Sequence, residues 1–413
     1  MEAKPGGGWG AVLSLYLLLS AGGTTETLGQ DATVLFDDDL VTLPSREVAK
    51  KLYHCRPGPW GELEYFYTFL EAPEQIVDLM EIPASQTVWR FMGWHESQVR
   101  ELIESLGLPK PMEVELIGKS QWYDVEDEVR VHPSASIVLA LPREVRQKIY
   151  GVLRKWEENR FFYSPVVIES GTVRDYFAGA GLSETLVSAM EKTSYPFGNG
   201  LAFSDVAWLV GLTSSESEAR AVMKALTRTR TLILRLKIGP ESRLEKLSKY
   251  WVAGDRYNEP IPILDAVLRA KNIRHIDVVQ LLPPTPRKNL YTYPSLSMGM
   301  SGAYPDDYSS ALNFFEFWPK QRDQEDEGFR EQIQQRYQSV QGPSLFGDIL
   351  VLTDPQTGKW LHACVYIADD IVYTKNGDDI IRPWILIKYG DLVARQVNAG
   401  EVKVQSWRLR PDS

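Results

Sequence analysis

The most regular pattern of apolar and polar positions lies near the C-terminus. Phe346-Gly347-Asp348-Ile349-Leu350-Val351-Leu352 is followed by Leu361-His362-Ala363-Cys364-Val365-Tyr366-Ile367-Ala368-Asp369-Asp370, and then by Ile371-Val372-Tyr373-Thr374-Lys375-Asn376-Gly377. Each run is short, rich in β-branched and aromatic residues, and bounded by turn formers (Asp354, Pro355 and Gly358, then Asp369 and Asp370), which predicts three successive antiparallel strands. Side chains alternate faces along a strand, so His362 and Cys364 share one side while Ala363 and Val365 take the other. A polar group from the following strand can then face His362. That arrangement orients an imidazole for base work, with a third group holding its tautomer.

Upstream the period changes. Residues 61–70 form an aromatic-rich strand candidate, and residues 95–106 an amphipathic helix closed by Gly107. His95-Glu96 opens that helix but lacks the second histidine of a zinc-protease motif, because position 99 is Val. From Pro142 helical patterns dominate, at residues 143–158, 182–191, 203–210 and 217–226. The last two, followed by the basic run Arg228-Thr229-Arg230-Thr231-Leu232-Ile233-Leu234-Arg235-Leu236-Lys237, have the rhythm of a helix-turn-helix with a wing. Leu281-Leu282-Pro283-Pro284 and the Tyr/Pro/Ser/Gly-rich tract to Tyr304 read as a linker or extended arm. Residues 321–336 read as a charge-dense helix. Five segments result: a signal peptide at 1–23, an α/β domain at 33–141, a mainly helical domain at 142–280, a linker at 281–304 and a C-terminal domain at 305–413. The expected fold class is α+β and multidomain.

Composition changes the picture in two ways. At 413 residues the chain can bury two or three cores, and its 45 basic against 55 acidic residues give a formal net charge of -10. That charge argues against a general affinity for nucleic acid or an anionic membrane, and makes a solvated strand the simpler reading of the basic run. The N-terminus carries Lys4, then the apolar run Trp9 to Ala21 ending in Ser20-Ala21-Gly22-Gly23, the layout of a secretory signal. The run is short of the about 20 residues a membrane span needs, so export to the periplasm or the extracellular space is expected without membrane insertion beyond the signal. Cys55 and Cys364 are the two cysteines, and an oxidising compartment could join them; the alternative is two separate buried thiols. With five scattered histidines there is no metal-ligand spacing, and no metal or cofactor is expected.

Gly347-Asp348-Ile349 and His362-Ala363-Cys364-Val365-Tyr366 resemble the NlpC-type papain-fold peptidases, whose motifs run Asp-Cys-Ser opening a helix, Gly-Asp-Leu on a strand, and His-Val-Gly-Ile-Tyr. The resemblance covers the last quarter of the chain and implies a papain-like α+β domain there. Its first element departs from the family. The corresponding stretch, Asp307-Tyr308-Ser309-Ser310-Ala311-Leu312-Asn313, is a turn-rich entry into an apolar helix that sets Tyr308 where the thiol would stand. Papain-type chemistry needs a thiol at a helix N-terminus beside a histidine, which together supply thiolate. A phenol has neither that nucleophilicity nor that reach.

Three readings of the gap follow. Ser309 or Ser310 replaces the thiol; or Cys364 does, although it lies about 7 Å from His362 along the same strand face; or the domain keeps the fold for binding. Thr374 and Asn376 are the candidates for the third, orienting group, which in the family is a His, Asn or Gln early in the strand after the histidine. Asp307 reads as an N-cap or part of the entry turn, and Asp307, Tyr308 and Asn313 are placed to line a cleft. The favoured expectation is an exported, non-catalytic module that binds cell-wall peptide or a protein partner. The alternative is an amide hydrolase or acyl transferase in which Ser309 or Ser310 attacks and His362 takes the proton.

Overall fold

A computed structural model describes residues 51–118, 121–125, 127–168, 171–198, 200–252, 257–270, 272–301, 304–319, 326–395 and 401–411. The signal segment expected at 1–23 lies outside the described residues. The three C-terminal runs fold as strands Ile349–Thr353, Trp360–Ala368 and Ile371–Lys375, each antiparallel to the next. They sit inside a six-stranded antiparallel sheet. Tyr337–Val340 and Lys403–Leu409 extend it on one side and Trp384–Lys388 on the other. The alternation read from the sequence becomes two packed faces. Ala363, Val365 and Tyr373 join Ala311, Leu312 and Phe314 in one apolar cluster, while Cys364 packs with Leu350, Leu352, Val372 and Ile385 in another.

A second sheet orders Tyr53–His54, Leu63–Leu70, Thr229–Lys237 and His275–Asp277 side by side. Its pairing of Leu63–Leu70 with Thr229–Lys237 crosses the boundary expected at 141/142. That boundary is therefore no break in the fold. Hydrophobic periodicity is local, whereas strand pairing between residues over 150 positions apart leaves no local mark. The two sheets meet where Thr231 Oγ1 donates to the Leu386 carbonyl (2.9 Å) and accepts from the Leu386 amide (3.1 Å). One core runs from Leu63 through Leu234 and Trp251 to Leu386, so residues 51–413 form one unit, and the segments expected as separate α/β, helical and C-terminal domains share it.

The basic run, expected as a solvated strand, supplies the central strand Thr229–Lys237: Thr231, Leu232, Leu234 and Leu236 are all buried. The preceding helices run Val206–Val210 and Glu216–Leu226, the first shortened because Phe203 ends the strand Gly200–Phe203. The expected linker is also structured. Pro284–Asn289 is helical, with Leu281, Leu282 and Leu290 buried around it. Proline at the first helical turn forfeits no hydrogen bond, which is how a proline-rich stretch becomes a helix here. Two three-stranded sheets, Trp89–Met92/Glu128–His132/Gln121–Val125 and Val166–Ile168/Gly200–Phe203/Tyr195–Phe197, complete the strands named here. Among the described residues no helix is long and apolar enough to cross a membrane.

Candidate functional site

The site forms where the helix Asp307–Leu312 abuts the strands Trp360–Ala368 and Ile371–Lys375. Two consecutive aspartates open the helix, and they divide the work. Asp306 is the N-cap, its extended backbone turning into the helix while Oδ1 accepts the Ser309 amide at 2.7 Å. Asp307, expected as the cap, is instead the first helical residue. A helix turns about 100° per residue, so that one-residue difference aims Asp307 at the sheet. Its Oδ2 accepts the Ala363 amide at 2.7 Å and stands 3.0 Å from His362 Nδ1.

The strand register supplies the other partner. Val365 pairs with Tyr373, so continuing the ladder sets Thr374 opposite Cys364 and on the face shared with His362. His362 Nε2 lies 2.8 Å from Thr374 Oγ1. The imidazole is thus held at both nitrogens, by Asp307 and by Thr374, and its side chain is only 9% exposed. Of the two candidates for the orienting group, Thr374 is the one that meets the ring. Asn376, directly across from His362 in the continued register, instead accepts from Arg395.

Burial sets the charges. It lifts the Asp307 carboxyl from 3.8 to about 7, against the Ala363 amide and the Lys375 cation, which pull it down. Burial likewise lowers His362 from 6.5 to about 3, with the Arg395 cation acting in the same direction. Both groups are driven toward their neutral forms. The Ala363 N–H donates to Asp307 Oδ2, which also faces His362 Nδ1, and His362 Nε2 meets Thr374 Oγ1, whose hydroxyl contacts the Lys375 carbonyl (3.1 Å) and the Ala363 carbonyl (3.2 Å). Both ring nitrogens are engaged within the protein. Lys375 itself is buried, its ammonium donating to the carbonyls of Gly377 (2.5 Å) and Asp379 (3.0 Å), and desolvation lowers it to about 8.

The residues expected as nucleophiles lie elsewhere. Ser309 Oγ turns back to the Asp306 carbonyl (3.4 Å). Ser310 Oγ donates to the same carbonyl at 2.6 Å and accepts the Trp384 indole N–H at 2.9 Å, which uses the hydroxyl as a structural bridge. Among the described contacts neither serine meets His362. Tyr308, expected in the thiol position, points away from it. Its hydroxyl donates to the Trp360 carbonyl (3.0 Å), and its ring lies 4.5 Å from that of Phe329. Asn313 is buried, donating from Nδ2 to the Ser309 carbonyl (2.8 Å) as part of the helix end.

Both cysteines are free, so the disulfide considered for Cys55 and Cys364 does not form. Burial pushes the Cys55 thiol up to about 12 and raises that of Cys364 as well, the reverse of what a nucleophilic thiol needs. Gly347 and Asp348 have structural work: Gly347 adopts φ +89 with Phe315 packed where a Cβ would stand, and Asp348 holds Arg408 at 2.7 and 2.9 Å. Among the described residues no group of three or more His, Cys, Asp or Glu side chains is placed to hold a metal.

No family model matches the chain, and neither a curated protein nor a solved structure matches it.

Proposed function

We propose that the protein is an exported, non-catalytic binding module whose C-terminal region, residues 305–413, is a papain-like domain without its thiol, recognising cell-wall peptide or a protein partner. One observation carries this reading. A carboxyl, that of Asp307, faces His362 from the start of a helix, the place where papain-type chemistry needs a thiol. The likeness to the NlpC-type order of helix, Gly-Asp strand and His strand is supported by the packing of the Asp307–Leu312 helix against the two strands that carry His362 and Thr374. Both nitrogens of His362 are engaged, by Asp307 and by Thr374, so the imidazole has no free nitrogen with which to activate a nucleophile. The alternative with a serine nucleophile loses support from the Ser309 and Ser310 contacts, since a working pair needs about 2.6–3.2 Å between hydroxyl and imidazole.

Incubation of the purified protein with cell-wall peptides and with acylating probes, read by intact mass, tests this. The expected result is unmodified protein and uncut peptide. Acylation of Ser309 or Ser310, lost in His362→Ala, would establish the alternative. Export is tested separately by N-terminal sequencing of protein from its native host, expected to begin between about Gly22 and Thr27. Intact Met1 in a cytosolic fraction would exclude it.

A further inference from the structure

An acidic chain has gathered cations at one place. A cavity of about 750 Å³ reaches from His362 and Asn376 to the helical region, and six arginines line it: Arg154, Arg160, Arg228, Arg230, Arg382 and Arg395. Among the described residues three carboxylates, Glu157, Asp378 and Asp379, share the lining, so the described cations there outnumber the anions in a protein whose total balance is acidic. The arginines come from distant parts of the chain. Arg228 and Arg230 begin the basic run, and the N-terminal end of its strand lies along the cavity.

Ring faces and neutral oxygens meet several of these side chains. Arg154 lies over the Phe197 ring (4.6 Å), Arg160 over Phe161 (5.2 Å) and Arg230 over Tyr67 (3.4 Å). Arg228 lies over Phe69 (4.5 Å), with the Glu71 carboxylate 3.4 Å away. Arg382 donates to Ser164 Oγ (3.2 Å) and Arg395 to Asn376. At Arg160 and Arg230 a ring face orients the guanidinium without neutralising it. Burial works against the charge of Arg154, Arg228 and Arg382; the Arg395 cation presses further on Arg382, while the carboxylates of Glu71 and Asp379 support Arg228 and Arg382 respectively. Guanidiniums gathered and partly desolvated in one cavity are what an anion with several charged groups would relieve, and the planar fork of arginine fits phosphate and carboxylate alike. The volume is that of a small-molecule pocket.

We propose that this cavity binds a small polyanion, held through phosphate or carboxylate groups by the arginines that line it. The site does not depend on peptide recognition by the C-terminal domain, because four of its six arginines precede residue 305.

Thermal unfolding and calorimetric titration of the full chain with sodium pyrophosphate and with citrate, each against sodium chloride of equal ionic strength, test it. One or both anions should raise Tm saturably at about 10 mM or less. A response to pyrophosphate alone would assign phosphate groups, and one to citrate alone carboxylates. Arg382→Gln and Arg230→Gln should each weaken the bound anion about tenfold or more, and Arg382→Gln should leave the ligand-free Tm unchanged or higher, because one repelling cation is gone. Two results would overturn the proposal. One is no shift beyond the chloride control with either anion; the other is an unaltered anion response in both variants. A lower ligand-free Tm in Arg382→Gln together with no anion response in the wild type would mark the arginines as structural.

Discussion

Replacing Asp307 with Asn should change how stability depends on pH, and the direction follows from the opposite shifts of Asp307 and His362. The folded value of Asp307 is raised from 3.8 to about 7, so its contribution is complete below its unfolded value and lost as pH climbs through about 7. The folded value of His362 is depressed from 6.5 to about 3, so its contribution is complete above its unfolded value and lost as pH falls through about 3. Between about pH 4 and 6.5 the two slopes are opposite and nearly equal, and the pair holds one proton whether folded or unfolded. Its contribution is flat there and falls on either side. In Asp307→Asn the amide oxygen, placed where Oδ2 stands, keeps the Ala363 amide and accepts from Nδ1, while the carboxyl titration disappears. Burial, the largest cause of the His362 shift, is unchanged. Stability of the variant should therefore climb with pH across that window. A pH unit is worth about 1.4 kcal/mol, so the climb is about 3 kcal/mol relative to wild type. Urea unfolding of both proteins at about pH 4, 5, 6 and 7, followed by fluorescence of the 12 tryptophans, measures the difference directly. A destabilisation by Asp307→Asn that shrinks as pH rises is the expected result. A difference constant to within about 0.5 kcal/mol would refute these opposite shifts.

Gly347→Ala places a Cβ 2.2 Å from Phe315 Cζ at a backbone φ of +89, so strain and overpacking together should cost about 2–4 kcal/mol in denaturant unfolding; a change under about 0.5 kcal/mol would show that Phe315 gives way freely. Cys364, 1% exposed with its thiol raised by burial, should resist iodoacetamide in the folded protein and react only on unfolding. Fast native labelling of Cys364 would contradict its placement in the sheet interior.

The strands that carry His362 and Thr374 were legible because period-two alternation and flanking turn residues are local signals, and the helix Glu216–Leu226 was legible for the corresponding reason. The residue facing His362 was not. Asp306 and Asp307 are the same residue type in adjacent positions, and only the packed structure shows which one caps the helix and which one turns to the sheet. The shared core was hidden for a different reason. Thr68 and Thr231 pair across the sheet, yet neither segment records its partner in its own periodicity. The arginine-lined cavity left still less trace, because Arg154, Arg228 and Arg395 meet only through the tertiary fold.

The central claim, a papain-like cleft that binds and does not cut, is tested most directly by titrating a cell-wall peptide into the protein by calorimetry and recovering the peptide for mass analysis. The account predicts saturable binding with the peptide intact, and a His362→Ala variant altered in affinity or stability with no turnover to lose. Steady cleavage by the wild type that disappears in both His362→Ala and Asp307→Ala would contradict it.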